Sequence, residues 1–263
     1  IEAKQRLMQK VFSEAERRQM RVIFALDVDT GSVLPQEMIT ALDADERFKN
    51  GHIWLPRPDT PGGYEFYRAQ VRGLLELYPQ IDRIALWQRP NGAHWGLLKD
   101  VDRLPEPWRA EYREYVREHP EAAGLEQSIS AFALSKVCAA FRRALDESGR
   151  EDVRLGYGSW HTKWMPAVAE FFPESVDLMP LDNMNTPGNT SFFQRADPRA
   201  DLMRARGHII PIIWAHHDGQ GYIGRPFLPH DDLLQPLTEL EADGFAVLHW
   251  MNRPLDLYFK NHI

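Results

Sequence analysis

TPGGYEFYRAQVRGLLELYPQIDRIALW, residues 60–87, is the stretch on which the fold turns. Its first part is apolar at Tyr64, Tyr67, Val71, Leu74, Leu75 and Tyr78. Those spacings of three and four line one face of an α-helix. Its second part, Ile81–Trp87, is a short apolar run that reads as a buried strand. A helix running straight into a strand is half of a repeating α/β unit, so the fold depends on whether the pattern recurs.

It recurs through the chain. A basic periodic helix, KQRLMQKVFSEAERRQM, leads into the strand Arg21–Val28. ISAFALSKVCAAFRRALDESG precedes Val153–His161, and KWMPAVAEFFP precedes Val176–Asn183. DPRADLMRARG precedes His208–His217, where Pro211 is awkward for a central strand. HDDLLQPLTELEADG precedes Phe245–Met251, and PLDLYFKNH closes the chain. Six strands, each preceded by a helix, imply parallel pairing through right-handed crossovers. A doubly wound sheet usually carries a glycine-rich phosphate turn after its first strand, but DVDTGSV has one glycine. The expected fold is therefore α/β, a (β/α) TIM-type barrel, with its site at the carboxyl ends of the strands.

Six strands fall short of eight, so the first and last are expected to be missing from this chain. The ends agree with that expectation. The chain opens on Ile1 inside a helix pattern (Leu7, Val11, Ala15) and stops at Ile263 just after another. Residues 1–263 are expected to be a single catalytic barrel cut from a longer multidomain protein. Two inserts are long enough to suggest function. One follows the first strand and holds Gly31, Pro35, Pro56, Pro58 and Pro61; the other, Gln88–Gln127, contains EPWRAEYREYVREH, which reads as a surface helix.

Composition narrows the partners. The formal net charge is −7, with no run of five like charges, which argues against a phosphate-backbone binder and so against nucleic acid. No apolar stretch reaches membrane-spanning length. One cysteine, Cys138, permits neither a disulfide framework nor a cysteine metal cluster, and its neighbours Ala139, Ala140 and Phe141 make it a core residue. No signal peptide is visible, and neither compartment nor oligomeric state can be read.

The strand ends carry the chemistry. In order they finish in Asp27 and Asp29; Trp87, Gln88 and Arg89; Trp160 and His161; Asp182, Asn183 and Asn185; Trp214, His216, His217 and Asp218; and His249, Trp250, Asn252 and Arg253. Each indole alone can be read as a cap on the barrel core. Four indoles on one rim, interleaved with amides, histidines and arginines, make a wall suited to pyranose rings, whose C–H faces stack and whose hydroxyls bond outward. Hydrolysis of a glycosidic bond usually needs two carboxylates. Asp182 and Asp218, on consecutive strand ends, are the candidate catalytic pair. Each also fits a plain turn. Alternation is read as pointing one of Asp27 and Asp29 inward, with little to choose between them, and for both the plain alternative is a loop cap. Trp87, Trp160, Trp214 and Trp250 are expected to stack the sugar. Arg89, His161, Asn183, His216, His217, His249, Arg253 and Asp27 are expected to orient hydroxyls or a carboxylate. Arg253 fits equally as a local bridge to Asp256, and GYIGRPF, with Arg225, fits a mobile flap. No cofactor is expected. The competing reading is a metal-dependent hydrolase using His161, His249 and one of His216 or His217. Against it, no strand carries an H-x-H pair. A third reading is a non-catalytic carbohydrate-binding barrel.

TPGGYEFYRAQVRGLLELYPQIDRIALW, IIPIIWAHHDGQGYIGRPF and GFAVLHWMNRPLDLYF resemble the barrel of bacterial glycoside hydrolases of the α-glucuronidase type, and more loosely hexosaminidase-like barrels. The similarity is one of pattern over Val22 to Phe259. It implies a (β/α)8 barrel acting on polysaccharide side chains such as glucuronoxylan, with an acid and a base carboxylate and basic residues holding a uronate. It also implies a periplasmic or extracellular setting. Such enzymes commonly use a glutamate as acid, and no strand here ends in one. Glu106 and Glu111, in the second insert, are the loop candidates for that role.

Overall fold

A computed structural model of the protein describes residues 1–29, 34–88, 94–159, 164–182, 201, 203, 208–216, 237, 238 and 240–249; at residues 182, 213–216 and 247–249 it describes the backbone alone. Helix α1 (Glu2–Arg17) leads into β1 (Val22–Asp27). The first insert holds α2 (Gln36–Thr40) and a hairpin of β2 (Arg47–Asn50) and β3 (Ile53–Pro56). Then come α3 (Pro61–Leu77) and β4 (Ile81–Gln88). The second insert carries short 3-10 turns at Trp95–Leu97 and Val101–Arg103, followed by α4 (Glu106–Glu118) and α5 (Pro120–Ala123). The alternation resumes with α6 (Ser128–Glu147), β5 (Arg154–Ser159), α7 (Met165–Phe171), β6 (Val176–Asp182), β7 (Ile212–His216) and β8 (Ala246–His249).

All six expected strands are present and form one parallel sheet in the order β1-β4-β5-β6-β7-β8. That order follows the chain and never reverses. Right-handed crossovers then place every connecting helix on the same face of the sheet. A doubly wound sheet needs a reversal to put helices on both faces, so this is the wall of a (β/α) barrel, incomplete among the described residues. The pattern that starts α3 is local. Thr60 caps it by accepting from the Gly63 N–H at 3.3 Å, and Pro61 takes the first turn, where a missing N–H is harmless.

The strands are apolar on both faces, and the core divides accordingly. Toward the helices, Ile84, Leu86, Leu155, Tyr157 and Leu178 pack with residues such as Val71, Val137, Phe141 and Val168. Toward the interior, Ala85, Met179, Leu181 and Ile212 form a separate cluster joined by Trp87, Ile210 and Ala246. Cys138 lies in the outer core, where burial pushes its thiol up to about 12.

Three details depart from the sequence reading. The β2–β3 hairpin escaped notice because its strands have four residues each and turn on Gly51 at a φ of +64°. Helix α4 is no plain surface helix, since it buries Trp108 and Tyr112. Pro211 is accommodated because β7 begins at Ile212. Before the proline, the chain pairs separately with Leu178 through Leu178 N–H to His208 C=O and Ile210 N–H to Leu178 C=O, both 2.8 Å.

At the amino end of the strands the interior is closed by charge. Asp177 is fully buried; Arg83 lies 2.5 Å from its Oδ2, and Arg154 engages both carboxylate oxygens. Removing Asp177 takes the charged acceptor from two arginines at once, although both side chains keep some access to water. Asp177→Ala is therefore expected to cost about 1.5–3 kcal/mol in urea unfolding. Substitution of either arginine alone should cost less, since Asp177 keeps one partner.

Candidate functional site

The register brings Asp27 beside Trp87 and Trp87 beside Gly158, one row across β1, β4 and β5 at their carboxyl ends. Trp87 is half-buried and packs on the inner cluster, so this row faces the barrel interior. Gly158 is required there. A Cβ at that position would overlap the six-membered ring of the Trp87 indole. The result is an aromatic ring seated on bare backbone with the partly buried carboxylate of Asp27 as its neighbour.

Asp29 is the loop cap. It lies past the end of β1, is fully buried, and accepts the Gly96 N–H at 2.9 Å through Oδ2. Its backbone carbonyl accepts the His94 N–H at 3.1 Å. Burial, assisted by the nearby charge of Asp27, raises its carboxyl to about 7 against the pull of the Gly96 and Trp95 backbone N–H groups. Gln88, next to Trp87 in sequence, points the other way and is fully buried. It accepts the Tyr157 hydroxyl, and its amide nitrogen fills the space a Cβ at Gly96 would need. Asp29 Oδ1 and Gln88 Nε2 have no hydrogen-bond partner among the described residues. Burial raises the Tyr67 and Tyr157 hydroxyls, and the charge of Asp29 adds to the rise.

The two inserts build a shelf over the β1–β4 side of the rim. Phe48 of the hairpin stacks on Trp95 at 4.9 Å, and Trp95 packs on Trp108 of α4 at 5.1 Å. Asn50, nearly buried at the end of β2, donates to the His94 carbonyl at 2.6 Å and accepts from Arg103. His52, on the hairpin turn, meets His94 edge-on at 6.0 Å. Partial burial, with His52 nearby, lowers the His94 imidazole below its ordinary value, which favours its neutral form. Sequence reasoning missed Asn50, His52 and His94. The only signal was the length of the inserts, which marks a loop but not its residues.

Of the remaining expected residues, the backbone places Asp182 at the end of β6, Trp214 and His216 on β7, and His249 at the end of β8. Asp182 is in register with Ile213, one step beyond the inward pair Leu181 and Ile212. His216 pairs with His249 after an irregularity that follows Trp214. Arg89, Trp160, His161, Asn183, His217, Asp218, Trp250 and Arg253 lie outside the described residues, as do Asn185, Arg225 and the GYIGRPF segment. Glu106 and Glu111 do not behave as buried acids. Glu106 is largely exposed and pairs with Arg109 at 3.1 Å, while Glu111 pairs with Lys136 on α6. Among the described residues no group of three or more His, Cys, Asp or Glu side chains is placed to hold a metal, and no helix is long and apolar enough to cross a membrane.

No protein-family model matches the chain, and no curated protein matches it in sequence. Among solved structures, the chain is similar to the catalytic domain of β-amylase from Paenibacillus polymyxa, with a TM-score of 0.49 and 14% identity over 91% of this chain and 79% of that one. It is also similar to bee venom hyaluronidase, with a TM-score of 0.45 and 14% identity over 92% of this chain and 86% of that one.

Two outcomes test the site's construction. Asp29 titrates higher when folded than its ordinary 3.8, so the folded state binds the extra proton. Its contribution is fully present below about pH 4 and is lost as pH rises through about 7. Asp29→Asn is expected to flatten the fall in stability between about pH 4 and pH 7, read by urea unfolding at several pH values. Gly158→Ala should displace the Trp87 indole, shifting tryptophan fluorescence and lowering stability by about 1–3 kcal/mol through overpacking.

Proposed function

We propose that this protein is a glycoside hydrolase that cleaves a glycosidic bond in a polysaccharide or oligosaccharide and releases a uronic acid. The observation that carries the reading is the row of Asp27, Trp87 and Gly158 on the inner face of the barrel rim. A flat apolar ring beside a carboxylate matches a pyranose, which offers a C–H face to the indole and hydroxyls to the acid. The glycine leaves one side of the ring against backbone and so fixes its tilt.

In this reading Asp182 and Asp218, from the ends of consecutive strand regions, supply the acid and base. Trp160, Trp214 and Trp250 extend the stacking wall begun by Trp87. Asp27, Asn183, His161, His216, His217 and His249 bond sugar hydroxyls, while Arg89 and Arg253 hold the uronate as planar bidentate donors. No metal or organic cofactor takes part. The bond breaks with protonation of the leaving oxygen by one carboxylic acid, while the other carboxylate attacks the anomeric carbon or activates water.

The test is turnover of aryl glycosides and uronic-acid-decorated oligosaccharides by the whole chain and by the variants Asp182→Asn and Asp218→Asn. Each variant is expected to lose at least about a hundredfold in kcat. Trp87→Ala is expected mainly to raise KM. Undiminished turnover in both aspartate variants would remove the catalytic assignment. Saturable sugar binding by the chain without turnover would mark a carbohydrate-binding barrel, and activity abolished by chelation would mark the metal-dependent one.

A further inference from the structure

We propose that His94 contacts the saccharide at the rim and that Asn50 is the residue that positions it; the inference rests on the carbohydrate reading above. Three elements converge on this histidine. The end of β1 takes its N–H through the Asp29 carbonyl at 3.1 Å. The hairpin binds its carbonyl through Asn50 Nδ2 at 2.6 Å, and Arg103 of the second 3-10 turn holds the other end of that carboxamide. The next residue, Trp95, is fully buried between Phe48 and Trp108. The peptide around His94 is therefore fixed on both sides.

The imidazole takes no part in that clamp. It is half-buried, makes no side-chain hydrogen bond to a described residue, and has the exposed His52 as its ring neighbour. Among the described residues, the contacts that fasten this peptide reach its backbone or Trp95, so the fold does not call on the imidazole. The clamp is built from Asp29, two residues beyond the Asp27 that stands beside Trp87, so the loop is anchored to the strand that carries the candidate site. A neutral imidazole offers one donor and one acceptor, which suits a pair of neighbouring sugar hydroxyls that each give and take a hydrogen bond. Holding the backbone first removes the ordering cost from the binding step.

The test uses the whole chain with 13C-labelled histidine Cε1 positions, titrated with D-glucuronate and with methyl glucoside. Trp87-dependent fluorescence is read in parallel, and the His94 signal is identified from His94→Gln. The His94 resonance is expected to move along the same saturation curve as the fluorescence. His94→Gln should weaken affinity about three- to tenfold, the range of a single hydrogen bond, with an unchanged melting temperature. Asn50→Ala should weaken binding in the native background and add nothing in the His94→Gln background, a non-additivity that general destabilisation does not produce. Binding that depends on Trp87 but leaves the His94 signal still and His94→Gln at full affinity would overturn this assignment alone. Absence of saturable binding by either sugar would overturn the carbohydrate reading and this inference together.

Discussion

The contact between the Trp87 indole and the backbone of Gly158 is the constraint on which the rim depends. A parallel barrel wall must bury both faces, and its inner face has little volume to offer. That volume is filled in layers. At the amino end of the strands Arg83 and Arg154 enclose the buried Asp177. Above them Ala85, Met179, Leu181 and Ile212 fill the middle with apolar atoms. Trp87 is the next inward residue on β4, and an indole fits there because β5 presents no side chain opposite it. Charge thus seals one end and apolar packing the centre, leaving polar chemistry at the carboxyl end, where Asp27 shares the row.

Behind that row lies a buried polar set that faces the helices. Tyr157 donates to Gln88, the Gln88 amide packs on Gly96, Gly96 donates to Asp29, and Asp29 takes the His94 N–H. These contacts join the ends of β1, β4 and β5 to the start of the second insert. Burial of Asp29 holds its carboxyl near 7, which keeps a protonated form accessible at physiological pH. Fully buried, that acid ties the end of β1 to the second insert through the Gly96 N–H rather than standing open to a ligand.

What the sequence made legible follows from range of interaction. The six strands and the helices between them were readable because their periodicity is local and long. The order of the strands followed from alternation and crossover handedness alone. The Asp27 and Asp29 pair shows where reading stopped. Two aspartates two residues apart at a strand end look alike, and only the distant N–H of Gly96 separates the cap from the rim residue. Gly158 was visible as a glycine in a strand, but its purpose appears only when β4 lies beside it. Asn50, His52 and His94 were invisible for the same reason, since the hairpin and the second insert meet through contacts more than forty residues apart. Glu106 and Glu111 looked available until α4 formed and gave each a partner, Arg109 and Lys136.

One consequence joins the two faces. Trp87 and Gln88 are adjacent and point to opposite sides of the sheet, as strand geometry demands. A slip of one residue would exchange them, putting a carboxamide against the inner cluster and an indole into the space that Gly96 leaves for an amide. Neither would fit. On the inner side the ring needs Gly158, and on the outer side the amide needs Gly96 and Tyr157. The register of β4 is therefore pinned twice at its carboxyl end, once by each face. The same two residues that fix the register also place the candidate binding surface and its support. The hidden side of the sheet and the rim are thus separated at this point by a single peptide unit.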